Sequence, residues 1–358
     1  MRRQILSLCL PSLREDLFSR GLVAAFRAPR ETTKLVLPIV FLVLMQAANG
    51  QSLRQSLEPR LAKLSAKSHS AVLLWDLPRS ETLAAVRAEV FAAPHCLGSL
   101  VKPFLLLAYL TEHCSDLTPH PSELLPCPRG DDPSAFQTLL VTPSSALRPC
   151  VGRATSQCPV ECWYKPGHGT LEMSRALAVS CNQYFYQLSK QTSMAAFLKT
   201  LAVLNVSASW DLAGATSVPP ETMIGLDSRL KLVPLQVLKA CGGLISEYPS
   251  TEAGNLAPAA LARTILLAGL RLSAVEGTSA LAEQALPPNH HLMGKTGTSP
   301  AFAGERHLKA RTDGWFLGFY PAAQAVLAVM VYYPGGLGAK NAAPLGGEVI
   351  RTYLEMMR

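Results

Sequence analysis

Hydrophobic and polar positions divide the chain into strand-like regions near its two ends and a helical region between them. "SAVLLWDL" (70–77) and "TLAAVRA" (82–88) are typical of two strands joined by the turn "PRSE". Near the other end, "HHLMGKTGTS", "TDGWFLGFYP" and "AVLAVMVYYP" predict three further strands. Because strands at both ends enclose helices, the pattern predicts one sheet interrupted by a helical insertion.

Apolar residues at spacings of three and four predict the helices. The clearest are "LVKPFLLLAYL", "PLQVLKACGGLI", "PAALARTILLAGLRL" and the closing "LGGEVIRTYLEMMR", and residues 194–286 as a whole are predicted to be mostly helical. "GTLEMSRALAVSCNQYFYQLSKQ" (169–191) also has helical periodicity, with Leu171, Ala178 and Tyr184 as buried positions. Residues 115–168 are rich in loop-forming residues.

Composition and charge narrow the class of protein. The 358 residues are 49% hydrophobic and 16% charged, which favours a large folded core. The net charge is +8, and residues 1–50 hold seven Lys/Arg and three Asp/Glu, so the remainder carries 8 − 4 = +4. No basic run or basic–aromatic alternation occurs in that remainder, so a nucleic-acid partner is not expected.

The first 50 residues have the pattern of an export segment. Arg27, Arg30 and Lys34 precede the apolar run "LVLPIVFLVLMQAA" (35–48), and small residues around Gly50 provide a cleavage site. An uncleaved anchor is the alternative. The sequence therefore predicts a signal or anchor over 1–50, a linker over 51–68 and a domain over 69–358. That domain is expected in the periplasm or on the outer face of the plasma membrane.

Export affects how the nine cysteines are interpreted. In an oxidising compartment, cysteines form disulfides more readily than metal sites. We expect a disulfide within the group Cys127, Cys150, Cys158 and Cys162, and we expect Cys96 and Cys181 to stay reduced. A four-thiolate zinc site is the alternative, although the C-x-x-C pairs typical of such sites are absent.

The stretch "MGKTGTS" (293–299) has two possible meanings. Gly-Lys-Thr ends a nucleotide-binding phosphate loop, but that loop needs a glycine five residues earlier, where this chain has Asn289, and a strand leading into it. Lys-Thr-Gly is also the third element of an acyl-serine site, in which S-x-x-K and S-x-N come earlier in the chain.

Both earlier elements are present in the required order. S-x-x-K occurs twice, at Ser99–Lys102 and at Ser228–Lys231, whereas S-x-N occurs once, at Ser180–Asn182. Ser99 opens an apolar helical run that would bury Lys102 and lower its pKa, as a general base requires. Ser228 has charged neighbours and a proline soon after, which favours a solvated loop or helix start.

With these motifs, residues 69–358 resemble the transpeptidase domain of penicillin-binding proteins, within the wider serine β-lactamase-like group. The resemblance rests on "GSLVKPF", "ALAVSCNQYF", "MGKTGTS" and "GWFLGFYP", with "AVEGTS" (274–279) before the third motif. It implies an α/β (α+β) fold, with a five-stranded antiparallel sheet flanked by helices and an inserted helical subdomain.

The resemblance also implies catalytic roles. Ser99 would attack the D-Ala-D-Ala carbonyl of a stem peptide, and Lys102 would accept its proton. Ser180 would pass the proton to the leaving D-alanine between Lys102 and Lys295, and Asn182 would hydrogen-bond the substrate amide.

The remaining implied contacts bind the substrate. Thr296, Gly297 and Thr298 would hold the terminal carboxylate beside Lys295, and the backbone N–H groups of Ser99 and Thr298 would form the oxyanion hole. Peptidoglycan stem peptides, β-lactam antibiotics and cell-wall synthesis proteins are the expected partners, and no cofactor or metal is expected.

The function predicted from the sequence is that of an exported D,D-transpeptidase. A D,D-carboxypeptidase or a class D-like β-lactamase is the enzymatic alternative, although class D enzymes have an aliphatic residue at the third position of S-x-N. A β-lactam sensor or a cell-wall scaffold is the alternative outside enzymes.

Overall fold

The computed structural model describes residues 53–113, 149–156, 158–210, 219–245, 259–300 and 312–357. The chain divides into two compact units, Met1–Gln55 and Ser56–Arg358. The predicted signal or anchor segment and Cys127 lie outside the described residues. Within the described ranges, no helix has both the length and the apolar character that crossing a membrane requires.

A five-stranded antiparallel sheet in the order β2-β1-β7-β6-β5 organises the second unit, as the sequence predicts. Its strands are β1 (Ala71–Asp76), β2 (Glu81–Val86), β5 (Met293–Pro300), β6 (Thr312–Tyr320) and β7 (Leu327–Tyr333). The N-terminal hairpin joins the C-terminal strands by pairing β1 with β7, for example Leu73 opposite Met330. Continuous burial along β1, β6 and β7 reflects cover on both faces of the sheet, which explains their nearly unbroken apolar sequences.

Helices account for most of the remaining described residues. They are α1 (53–65), α2 (Glu89–Ala92), α3 (Lys102–His113), α4 (Met173–Ala178), α5 (Asn182–Lys190), α6 (Met194–Val203), α7 (Pro220–Met223), α8 (Pro234–Ile245), α9 (Ala259–Val275), α10 (Ala280–Gln284) and α11 (Ala343–Met356). Leu57 and Leu61 of α1 are completely buried. This helix lies in the stretch predicted as a linker with helical propensity.

Residues 169–191 form two helices, where their periodicity predicts helix. α4 ends in a Schellman motif: the N–H of Cys181 donates to the carbonyl of Ala176, and that of Ser180 to the carbonyl of Leu177. Ser180 occupies the left-handed position of this motif, with φ of +54°, where glycine is the usual residue.

The periodicity of residues 169–191 predicts their buried face, on which Ala178 and Tyr184 are buried and Leu171 is half-buried. It does not reveal the break between α4 and α5.

The region predicted as mostly helical also contains a two-stranded sheet, β3 (Ala208–Trp210) with β4 (Leu230–Leu232). Both strands have only three residues, too few for a period to be recognised in the sequence. Leu232 forms an isolated bridge with His95, which ties this small sheet to the chain just before Ser99.

A 3-10 turn, Gly98–Val101, leads directly into α3 and lies against β5. Gly98 has φ of +56°, and a Cβ atom added there would overlap the backbone of Thr298. A Cβ at Gly297 would likewise overlap the carbonyl of Leu97. Both glycines are therefore needed for the close approach that places Ser99 beside the third motif.

Candidate active site

The three motifs predicted from the sequence meet between β5 and the ends of the surrounding helices. Ser99 lies in the 3-10 turn, three residues before Lys102, the first residue of α3. Ser180 lies between α4 and α5, and Asn182 is the first residue of α5. Lys295 lies on β5. These five residues are separated by up to 196 positions in sequence (295 − 99), so only the tertiary fold assembles them.

Lys102 has a completely buried side chain with several acceptors. Its Nζ donates to the carbonyl oxygen of Ser180 at 2.9 Å and to Oδ1 of Asn182 at 2.8 Å. It also lies 5.4 Å from the ring centre of Phe185. Burial lowers the pKa of Lys102 from 10.5 to about 8, so the neutral amine is readily populated in weakly alkaline solution.

Lys295 is also buried, and its amine contacts the hydroxyl of Ser180. Its Nζ donates to Oγ of Ser180 at 2.8 Å and to the carbonyl oxygen of Thr296 at 2.8 Å. Burial, followed by repulsion from the Lys102 ammonium, holds the pKa of Lys295 well below 10.5. The state in which both lysines are charged is therefore disfavoured in this desolvated site.

Ser180 connects the two amines. Its Oγ lies 2.8 Å from Nζ of Lys295 and 3.4 Å from Nζ of Lys102, and the residue is 5% exposed. A hydroxyl can accept a proton from one group while it donates its own to another. This arrangement can therefore relay a proton between a base at Lys102 and a substrate atom near Lys295.

Both polar atoms of the Asn182 side-chain amide form hydrogen bonds. Oδ1 accepts from Lys102, and Nδ2 donates to the carbonyl oxygen of Glu161 at 3.1 Å. The side chain is thus held between Lys102 of α3 and the irregular segment 149–169. The implied hydrogen bond from Asn182 to a substrate amide requires this pairing to change or to be shared.

The substrate-binding residues of the third motif follow one another along β5. Oγ1 of Thr298 accepts from the N–H of Gly338 at 3.0 Å, and Oγ1 of Thr296 donates to Oγ1 of Thr278 at 2.7 Å. Thr278 belongs to "AVEGTS", and its N–H donates to the carbonyl of Ala178 at 3.2 Å, so this residue links the third motif to the end of α4. Sequence reasoning recognised the stretch but assigned no role to Thr278.

The second S-x-x-K match does not form a site of this kind. Ser228 is exposed in a bend, and Lys231 lies on β4, so the two residues are not on one helical face. The loop interpretation of Ser228 is confirmed. Its carbonyl accepts from Sγ of Cys96 at 3.2 Å.

The expected disulfide within the cysteine-rich segment is wrong for this structure. Cys150, Cys158 and Cys162 are all free, so no pair within the predicted group can be bonded. Cys96 and Cys181 are free as well. The separation of cysteines in sequence is a poor guide here, because the Sγ of Cys162 lies 3.9 Å from that of Cys181, which is 19 positions away.

Cys150, Cys162 and Cys181 instead form a cluster with His168. Sγ of Cys162 lies 3.9 Å from Sγ of Cys181 and 3.3 Å from Nδ1 of His168, and Sγ of Cys150 lies 3.5 Å from the same nitrogen. All four atoms lie within 4.8 Å of one another, a donor set that could hold a metal ion. The hydrogen bond between these two thiols lowers the pKa of Cys162 and raises that of Cys181.

Comparison of the sequence with family models gives one family. The family model described as the penicillin binding protein transpeptidase domain matches residues 145–351, more than half of the chain. The matched part contains Ser180, Asn182 and Lys295 but begins after Ser99 and Lys102, whose assignment therefore rests on the geometry above. A comparison with curated proteins finds no match.

Comparison by structure gives the same fold. The apo transpeptidase domain of penicillin-binding protein 3 from Burkholderia pseudomallei is 16% identical, with a TM-score of 0.57 over 87% of this chain and 95% of that one. PBP2 from Helicobacter pylori, in a complex with MreC, is 18% identical with a TM-score of 0.60, over 83% of this chain and 62% of that one.

A third solved structure is the transpeptidase domain of the FtsI4 D,D-transpeptidase from Legionella pneumophila. It is 16% identical, with a TM-score of 0.55 over 84% of this chain and 96% of that one. Identities this low establish the fold alone. Because the family model matches more than half of the sequence, the chain belongs to the penicillin-binding protein transpeptidase domain family.

Proposed function

We propose that this chain is an exported, penicillin-sensitive D,D-transpeptidase that acts on D-Ala-D-Ala stem peptides through an acyl-enzyme on Ser99. The observation that carries the proposal is the Ser180 hydroxyl held between the buried amines of Lys102 and Lys295. A serine nucleophile, a lysine base and a hydroxyl relay are the groups that acyl transfer without histidine requires.

In the first half-reaction, the neutral amine of Lys102 accepts the proton of the Ser99 hydroxyl. Oγ of Ser99 forms a bond to the carbonyl carbon of the penultimate D-alanine. When the tetrahedral intermediate collapses, the C–N bond breaks, and the proton passes through Ser180 to the leaving amine of the terminal D-alanine. The products are a serine ester and free D-alanine.

In the second half-reaction, the amine of a neighbouring stem peptide attacks this ester. Its proton passes through Ser180 and Lys102 to Oγ of Ser99, as the new amide forms and the C–O bond of the ester breaks. Water in place of the amine would give the hydrolysed peptide, the outcome of a D,D-carboxypeptidase. The residues described here serve either acceptor, so the acceptor must be identified from the products.

Two features of β5 and the adjoining turn support this chemistry. The backbone of Gly98 lies so close to that of Thr298 that a Cβ at position 98 would overlap it, which supports an oxyanion hole formed by the N–H groups of Ser99 and Thr298. One such donor is commonly worth about 3 kcal/mol of transition-state stabilisation. Lys295, Thr296, Gly297 and Thr298 provide the positive charge and polar groups for the terminal carboxylate of the peptide.

Export and partners belong to the same proposal. The predicted signal or anchor over residues 1–50 would place the domain on the outer side of the plasma membrane, where its stem-peptide substrate occurs. One structural neighbour is a PBP2 in complex with MreC. By analogy, we infer that this chain also works with cell-wall assembly proteins.

Covalent labelling tests the proposal. We expect Ser99→Ala to abolish labelling of the full chain by a fluorescent penicillin, while the matched Ser228→Ala labels as the wild type does. Labelling that persists in Ser99→Ala would refute the assigned nucleophile. Hydrolysis of the label within seconds would favour a β-lactamase, and a scaffold would not label at all.

A further inference from the structure

The cluster of Cys150, Cys162, His168 and Cys181 has dimensions that suit a tetrahedral zinc site. Zn–S bonds of about 2.3 Å and Zn–N bonds of about 2.0 Å give tetrahedral edges of about 3.8 Å between sulfurs and about 3.5 Å between sulfur and nitrogen. Three of the observed separations are 3.9 Å between two sulfurs and 3.3 Å and 3.5 Å between sulfur and nitrogen, and all four atoms lie within 4.8 Å of one another. We propose that these four residues bind one structural zinc ion.

The donor set favours zinc over other biological cations. Thiolates and imidazole are the preferred ligands of Zn²⁺, whereas Mg²⁺ and Ca²⁺ prefer oxygen. Three thiolates and one imidazole complete four-coordination, which is typical of structural rather than catalytic zinc. The three cysteines are buried and His168 is half-buried, so protein surrounds most of the site.

The backbone of segment 149–169 brings its three ligands together. Cys150 pairs with Gly169 through two hydrogen bonds, which places it next to His168. The N–H of Cys162 donates to the carbonyl of Gly152 at 2.8 Å. Gly152 has φ of +78°, and a Cβ there would overlap the carbonyl of Lys165. The loop is thus folded tightly around the cluster, although apart from that bridge its described residues form no helix or strand.

A disulfide explains the same residues less well. It would use two of the three sulfurs and would leave the third thiol and the imidazole without a role. It would also need a sulfur–sulfur distance of about 2.05 Å, whereas Cys162 and Cys181 are 3.9 Å apart. Cys158, which is buried in the same segment, is not part of the cluster, so thiols are not gathered there merely because the segment is rich in cysteine.

The fourth ligand connects the site to the second motif. Cys181 lies between Ser180 and Asn182 and is the N-cap residue of α5. Zinc would therefore join the irregular segment to the turn that holds the relay hydroxyl. This role rests on the proposed function: the zinc ion positions Ser180 for acyl transfer and takes no part in the chemistry.

Metal analysis of the full chain tests this site. Wild type purified without chelator should contain about one zinc per chain. After removal of the metal under reducing conditions, added Co²⁺ should produce the thiolate charge-transfer absorption of a tetrahedral site. Cys162→Ser and His168→Gln should each lower the affinity for Zn²⁺ by more than about tenfold, since even the loss of an outer hydrogen bond to a ligand costs that much.

The matched control is Cys158→Ser, which removes a buried thiol of the same segment and should retain full metal content. Three outcomes would overturn the zinc site. The first is that folded, reduced wild-type protein takes up neither Zn²⁺ nor Co²⁺. The second is an undiminished zinc content in both ligand variants, and the third is a disulfide between any two of the three cysteines in the purified chain.

The link to Ser180 has a separate readout. Removal of zinc should slow acylation by fluorescent penicillin, and stoichiometric Zn²⁺ should restore it; an unchanged rate would refute the positioning role. Metal content and cobalt absorption do not depend on acylation. A chain that binds zinc but never labels would therefore refute the proposed function and retain the site.

Discussion

The two walls of the site are held in different ways. On one side, β5 and the 3-10 turn approach so closely that glycine is required at positions 98 and 297, and regular structure fixes Lys102 and Lys295. On the other side, the described residues of segment 149–169 form no helix or strand and are held by the Gln183 side chain, the cysteine–histidine cluster and a few backbone hydrogen bonds. The first wall is held by close packing of regular backbone, whereas the second depends largely on side chains.

The largest effect should come from Lys102→Met on the first wall. Methionine preserves the apolar stem but cannot accept a proton, so acylation should fall by about 10²–10⁴-fold, the usual contribution of a general base. The domain should stay folded, because a desolvated amine is removed from the core. Stopped-flow labelling and thermal unfolding measure the two effects.

The matched control for this variant is Lys239→Met, which changes an exposed lysine of α8. It should leave the acylation rate unchanged. An equal loss in both variants would show that Lys102 is not the base.

The pH dependence of acylation should reflect the same lysine. Below the pKa of about 8 the Lys102 amine is protonated and cannot accept the serine proton, so the rate should rise with pH and level off above about 8. At about pH 6 the rate should be roughly a hundredfold below the plateau, tenfold for each unit. A single-turnover rate that stays flat across this range would contradict a neutral-amine base.

The comparison of Gly98→Ala with Gly169→Ala should separate close packing from backbone strain. Both glycines have positive φ, but a Cβ at Gly98 would overlap the Thr298 backbone, whereas one at Gly169 has nothing within 4 Å. We expect Gly169→Ala to cost about 1–2 kcal/mol from the left-handed conformation alone. Gly98→Ala should cost about 3 kcal/mol or more and should also slow acylation. Equal free energies of unfolding for the two variants would contradict the close approach.

The smallest effect should come from Gln183→Ala on the second wall. Oε1 of Gln183 accepts from the N–H groups of Val151 and Gly152, and Nε2 donates to the carbonyls of Arg153 and Val160. Its loss should destabilise the domain by about 2 kcal/mol, since water can replace part of these bonds. Urea unfolding measures the change.

Gln191→Ala, an exposed position at the end of α5, is the control and should be close to neutral. If Gln183→Ala is also neutral, the glutamine is not what holds segment 149–169.

Much of the molecule could be predicted from local pattern. The strands β1, β2, β5, β6 and β7 and the helices α3, α8 and α9 follow from short-range sequence features, namely apolar runs, apolar periodicity and the turn residues that separate them. The break between α4 and α5 could not be predicted in this way, because Ser180 adopts a left-handed conformation usual for glycine. The three-residue strands β3 and β4 are too short to have a recognisable period.

By itself, the sequence determined most of the strands, the order of the motifs and the candidacy of Ser99 and Lys102 over Ser228 and Lys231, since these depend on short-range spacing and on burial along one helix. Only the tertiary structure decided which groups touch. It placed Ser180 between two lysines, joined Thr278 to Thr296, and grouped Cys181 with Cys150, Cys162 and His168 while leaving Cys158 out. Contacts of this kind depend on the direction in which each turn points its side chains once the chain has packed. The number of residues between two positions does not determine that direction.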